Sequence, residues 1–503
     1  MENLSLILLI FSPLFAALIL FLPVFRDSDV LTRRFAKFFT GTHFAYAMLF
    51  LVFYNPEVSY FDELSLFGQS GIQSLGIRSA FAMDGVSLIF VLLTSFLVFM
   101  ASIASKHQIS NRYPLYYGLI LLLETSILGV FTAADMYLFF LFWELELIPM
   151  YFLISLWGSG SAKKSAMKFL LYTFFGSLFL LLGILFLNHY SDTLNYQMSA
   201  MFSDINIIGK VPLKIQLLIS ILMLIGFLVK VPLIPFHTWL PNAHCDAPAP
   251  VSMLLAGILL KMGAYGIIRF NILLLPDAFK LIAPVLIVMA VVNIIHAGFV
   301  AYNQNDLKKI IAYSSISNMG IVILGLCSAN SMGTIGGIFH MVSHGLICAG
   351  LFFIVGIIYN RTKSRDLNII NGLGSVMPNL MAFSVMFSLS AAGVPLLMGF
   401  VGEFLTFWGA FNSQYETKII IPVVVVVAML VLILSIAYML KFLHKTFFGA
   451  MSECWNNLRD ISTHEFIVLA SILSFVIFFG VQPMCLIDVI KPVAEIIVES
   501  VGI

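Results

Sequence analysis

The chain has 503 residues, 61% of them hydrophobic and 10% charged, with a mean hydropathy of +1.03. This composition excludes an ordinary water-soluble globular protein and makes the bilayer the expected solvent. The formal net charge of +1 says nothing about partners, and no nucleic acid is expected.

Apolar runs long enough to cross ~30 Å of hydrocarbon recur along the whole chain and leave no room for a soluble domain. The first, MENLSLILLIFSPLFAALILFLPV, lacks a basic n-region and a small-residue cleavage site. It reads as a retained helix over 4–23 rather than a signal peptide. Further spans are predicted near 35–53, 84–105, 113–132, 134–157, 166–187, 213–239, 248–272, 279–301, 308–328, 334–358, 378–412, 419–444 and 464–482. The fold class is therefore an all-α polytopic membrane protein of about 14 transmembrane helices. The aromatic-rich loop 54–83 reads as a small external cap, Asp84 as the cap of the third span, and 484–501 as an amphipathic segment on the outer surface.

Loop charges test the count. With the N-terminus outside, seventeen of the 26 Lys and Arg fall in inner loops and seven, Arg269 among them, in outer loops. Only Lys230 and Lys261 fall inside spans. Cytoplasmic loops collect basic residues, so both termini are expected on the outer side of a multi-pass protein, most simply in a bacterial cytoplasmic membrane.

The five cysteines form no C-x-x-C pair, and neither G-x-G-x-x-G nor a phosphate loop is present, so no redox cofactor or nucleotide site is expected in this chain. His340 and His344 are four apart on one helical face, yet no third ligand accompanies them, and no metal is expected.

Glu124, Glu144, Glu146, Lys230, Lys261 and Glu403 lie deep within spans. Each unpaired charge at a helix centre costs ~2.5–3.5 kcal/mol on insertion scales, so these must pair, neutralise or sit beside water, and such residues mark ion routes by default. Two spans are punctuated alike: Lys230-Val-Pro232-Leu-Ile-Pro235, and GVPLLMGFVGEF with Gly393, Pro395, Gly399, Gly402 and Glu403. Proline frees a carbonyl, which is tolerated at membrane depth only where protein or water meets it. A matched pair of interrupted spans is the mark of inverted-repeat transporters.

The stretches FFLFWELELIPMYFLISLWG (139–158), VKVPLIPFHTWLPNAHCDAPAPVSMLLAGILLKMG (229–263), DLKKIIAYSSISNMG (306–320) and GVPLLMGFVGEF (393–404) resemble the antiporter-like membrane subunits of respiratory complex I. The chain M type, relative of mitochondrial subunit 4 and of its plastid counterpart, is the most similar. The resemblance covers essentially the whole chain. It implies three N-terminal helices with the external loop (1–112), a first inverted repeat (113–272), a second (273–445) and a C-terminal helix with a surface segment (446–503). It also implies proton translocation driven by remote NADH-to-quinone electron transfer. Flavin, iron–sulfur clusters and quinone would then lie in partner chains, and the partners would be L- and N-type neighbours and small membrane subunits. On the same ground Glu144, Lys230, Lys261, His344 and Glu403 would carry protons, with His237 after the first break. Asn318 departs from the family, where a histidine commonly follows YSSIS; an amide cannot carry a proton onward.

A carboxylate approaching a buried lysine holds its proton, and one that withdraws lets it go, so Glu144 and Lys230 are expected to titrate as a coupled unit. Glu146 lies ~200° around a regular helix from Glu144 and is expected to meet another helix or a neighbouring subunit, with a transport role as the second reading. Glu124 is expected to be a hydrogen-bonded, protonated carboxyl or an added proton residue. His340 is expected to pack or to be a secondary member of the proton route, and Lys309 to snorkel or to feed protons inward. Rival readings are a Mrp-type Na⁺/H⁺ antiporter subunit, a membrane arm of a hydrogenase, and a non-conducting scaffold.

Overall fold

The structure, a computed structural model, describes residues 5–54, 64–65, 80–109, 111–190, 211–413, 415, 420–450 and 455–501. Most of the loop read as an external cap lies outside them. Its described part is an antiparallel ribbon, β1 (Leu64–Ser65) with β2 (Ala80–Phe81).

The helices are α1 Leu6–Ile19, α2 Asp29–Val52, α3 Gly85–Ala104, α4 Tyr113–Thr132, α5 Met136–Trp157, α6 Ala162–Tyr190, α7 Leu213–Lys230 and α8 Ala249–Ile272. They continue as α9 Pro276–Asn303, α10 Leu307–Leu326, α11 Ser331–Thr362, α12 Pro378–Ala391, α13 Met398–Phe411, α14 Ile420–Phe447, α15 Thr463–Val481 and α16 Met484–Val501. Among the described residues, 12 helices are long and apolar enough to cross a membrane. The shorter α1, and α12 with α13 as halves of one interrupted crossing, complete the set read from the sequence.

Spans begin where a short acidic side chain accepts the first free N–H groups. Asp84 accepts from Ser87 N at 2.8 Å, Asp135 from Tyr137 N and Leu138 N at 2.8 and 3.0 Å, and Asp306 from Lys308 N at 2.8 Å. Ser462 and Glu465 open α15 as a capping box, and Arg361 at the end of α11 holds Glu465 at 2.7 Å.

The helices form an inner and an outer set. Helices α8 and α11 are buried along their whole apolar windows, and α3, α4 and α10 nearly so, whereas α2, α6, α14 and α15 are mostly open. Outer faces carry Phe38, Leu171, Phe175, Leu430 and Ile433. Lipid is as apolar as a protein core, so hydrophobicity marks the spans without marking which face turns inward. Helix α16 is amphipathic as expected and lays Leu486, Val489, Ile490 and Val493 on the bundle.

Several helices are irregular. Helix α5 is two pieces, Met136–Leu145 and Leu147–Trp157, meeting at Glu146. Pro149 lacks the N–H that would bond the Leu145 carbonyl, and its ring crowds that oxygen. Helix α7 stops at Lys230, and the chain runs past Pro232 and Pro235 before a short helix, Leu240–Asp246. Ala392–Leu397 separates α12 from α13. In α8, π-helical turns at Leu255–Leu259 and Ile267–Ile272 flank the α-helical stretch Leu260–Gly266.

Arg269 corrects one sequence expectation. It is not an outer-loop cation. The wide second turn of α8 keeps it in the helix, 6% exposed, where it pairs with Asp84 at 2.5 Å.

Candidate functional site

The first cluster forms where α7 breaks. Lys230 and Glu146, both buried, make an ion pair. The ammonium also lies 5.2 Å from the Trp143 ring centre and 5.8 Å from that of Phe169, so aromatic faces share its charge. Glu146 meets another helix, as expected, and its partner there is Lys230; the ~200° separation from Glu144 assumes a regular helix, which Pro149 opens at Glu146 itself. Glu144 is partly buried beside Ser177 of α6, with its charge acting on Lys230. Two carboxylates therefore address one lysine.

Side chains meet the backbone that the break exposes. Trp239 Nε1 donates to the Val229 carbonyl at 2.9 Å, Ile234 N donates to Asn293 Oδ1 at 3.1 Å, and Lys168 Nζ donates to the Thr238 carbonyl at 2.6 Å. The break is thus a built feature, with several of its freed backbone groups met by side chains.

The second cluster joins the two halves of the chain. Helices α8 and α11 cross at Gly257 and Gly345, where a Cβ on Gly345 would meet the Gly257 carbonyl at 2.7 Å. Backbone contact this close sets Lys261 of α8 against His344 of α11. Lys261 Nζ lies 2.7 Å from His344 Nδ1 and also donates to the Ala256 carbonyl, in the first π turn. Both side chains are at most 2% exposed. Helix α7 packs as tightly on α8: a Cβ on Gly263 would lie 3.1 Å from Lys230 Cβ.

From His344 a small cavity leads to Glu403. Asn318, His340, His344, Ser390 and Glu403 contribute to its wall. His340 Nε2 lies 3.1 Å from Asn318 Oδ1, and Asn318 Nδ2 donates to the Ser314 carbonyl at 2.9 Å. The amide thus fixes the His340 ring with its Nε2 proton toward Asn318. Glu403 is 5% exposed and reaches the second break: a Cβ on Gly393 would collide with its Oε2. Gly393 also has φ of 70°, so glycine is required there twice over.

Other candidates lie elsewhere. His237 is partly exposed and stacks edge-on with His296 of α9, their centres 5.6 Å apart, at the rim of the bundle. Lys309 is partly exposed; it is Lys308 that is buried, donating to the Ala247 carbonyl at 2.6 Å. Glu124 stands apart from the central line, against His43 of α2 at 2.9 Å. Two further histidines escape the sequence reading. One is His43. The other is His244, fully buried, its ring stacked on Phe352 at 4.3 Å and neither nitrogen hydrogen-bonded among the described residues. A histidine within an apolar span is the available signal for His43; His244, between Asn242 and Asp246, carries none.

Chemically, the arrangement can pass protons. Lys261 Nζ and His344 Nδ1 are within direct transfer distance, a ring that accepts at Nδ1 can release from Nε2, and His344 contributes to the wall of the cavity before Glu403. Among the described residues no group of three or more His, Cys, Asp or Glu could hold a metal ion.

Two interrupted crossings joined by buried lysines, histidines and glutamates define an ion-translocating polytopic membrane protein. The family described as NADH:quinone oxidoreductase/Mrp antiporter, transmembrane, matches residues 133–427. NAD(P)H-quinone oxidoreductase chain 4 3 of Trichormus variabilis is 38% identical over 94% of this chain and 87% of its own length. Among solved structures, respiratory complex I from Thermus thermophilus with bound NADH contains a chain 26% identical, with a TM-score of 0.88 over 99% of this chain and 100% of that one. The Mrp complex from Dietzia sp. contains a chain 19% identical, with a TM-score of 0.85 over 99% and 98%, a likeness of fold alone. The chain belongs to the NADH:quinone oxidoreductase/Mrp antiporter transmembrane family.

Proposed function

We propose that this chain is the chain-4 (M-type) subunit of a membrane NAD(P)H–quinone oxidoreductase and moves protons along a line from Glu144 and Glu146 through Lys230, Lys261 and His344 to Glu403. The observation that carries this reading is the Lys261–His344 contact at 2.7 Å, which joins the half of the chain containing the first break to the half containing the second. Repeats over 113–272 and 273–445 fit that junction.

Withdrawal of a carboxylate from Lys230 would release its proton toward Lys261. His344 would take the proton at Nδ1 and pass it from Nε2 into the cavity before Glu403. Electron transfer would occur in partner chains that bind NADH, flavin, iron–sulfur clusters and quinone. L- and N-type neighbours and small membrane subunits would flank this chain in a bacterial cytoplasmic membrane, with both termini outside. Asn318 would hold His340 in place rather than carry a proton.

The Mrp-type antiporter reading shares the fold, but 38% identity to a quinone oxidoreductase chain across 94% of the sequence favours the redox-driven complex. The test is to purify the native complex and identify its chains, then measure NADH-driven proton uptake in membrane vesicles. NADH- and quinone-binding chains with uptake are expected. Mrp-type partners, or hydrogenase chains, would overturn the assignment.

A further inference from the structure

His43 and Glu124 meet between α2 and α4, away from the central line. The ring and the carboxylate are 2% and 0% exposed, with His43 Nδ1 2.9 Å from Glu124 Oε1. The other ring nitrogen, Nε2, is 2.9 Å from the Leu9 carbonyl of α1. A carbonyl oxygen only accepts, so Nε2 must carry hydrogen. Nδ1 and Oε1 are close, but their approach falls outside hydrogen-bond angles, so proximity alone does not set a proton on the line between them. A carboxylate buried beside a neutral ring would be an uncompensated charge, so the pair holds one proton, written as imidazolium and carboxylate or as imidazole and carboxylic acid.

We infer that His43 and Glu124 form a separate proton-binding site, one shared proton held in a net-neutral pair that fastens the N-terminal helices α1 and α2 to α4. The site lies outside the proton line proposed above and does not depend on it. The nearest elements agree: α4 packs on α1, α2, α3 and α5, so it is the seam between the N-terminal helices and the helix that carries Glu144 and Glu146.

A double-mutant cycle in the intact complex tests the pair. Glu124→Leu and His43→Leu each strand one buried polar partner and are expected to lower assembled complex several-fold on blue-native gels. The double variant strands neither and is expected to return within about twofold of wild type. Glu124→Gln, whose amide can donate to Nδ1 without a shared proton, is expected to assemble. Its infrared spectrum against wild type should lack one deuterium-sensitive band of a protonated carboxyl or an imidazolium. Single variants tolerated as well as the double, or no missing band in Glu124→Gln, would overturn the shared proton. Loss of proton uptake per electron in assembled Glu124→Gln would overturn the separation from the transport line.

Discussion

Lys230 meets two carboxylates of different standing. Glu146 is fully buried and in contact, whereas Glu144 is partly buried and acts at longer range. Removing one partner of a buried ion pair strands the other charge at a cost of ~3–5 kcal/mol. Glu146→Ala is therefore expected to reduce assembled complex sharply. Glu144→Ala leaves the pair intact and is expected to abolish proton uptake in complex that still assembles, with Glu144→Asp retaining part of the activity. Blue-native gels and vesicle proton uptake separate the two effects. Wild-type amounts of complex in Glu146→Ala would refute the ion pair, and loss of complex in Glu144→Ala would refute a purely transporting role.

At the level of elements, the interruptions matter more than the helices. Hydropathy locates the crossings because ~20 apolar residues are what a bilayer demands; the span read over 113–132 is α4 to the residue. Both breaks are legible from proline and glycine beside a charge. What stays hidden depends on helix geometry. Pro149 signals the α5 interruption, yet the periodicity of a regular helix turns Glu146 away from Glu144 and so does not name Lys230 as its partner. The π turns that seat Lys261 have no sequence signature at all. His43 lies in an apolar span and His244 in the connection after the first break, and for both the partners on distant helices, not local pattern, decide their surroundings. At the second break Gly393 is the element-scale test. Alanine there meets a left-handed backbone that costs ~1–2 kcal/mol for an L-residue, and its Cβ would collide with Glu403. Gly393→Ala is expected to lower the thermal stability of the complex and to cut proton uptake about tenfold by displacing that carboxyl. Unchanged uptake would mean that Glu403 is not held by the break.

For the whole molecule the question is whether the ionisable residues form one route or several. The geometry favours one: Lys230 and Glu403 sit at opposite breaks, with Lys261, His344 and the cavity before Glu403 between them. A route in series fails at any link, so a second lesion adds little to the first. Parallel routes through the two halves would each lose their own share, and lesions would combine. Lys230→Met and Glu403→Gln are each expected to bring NADH-driven proton uptake per electron to a low residual level, with the double variant no lower than the worse single. Each variant must first assemble, since removing Lys230 unpairs Glu146; adding Glu146→Leu to Lys230→Met removes that orphaned charge and keeps the comparison sound. If each single halves the uptake and the double removes the remainder, the two breaks serve independent routes. The Lys261–His344 contact would then be packing between repeats rather than the joint through which protons pass.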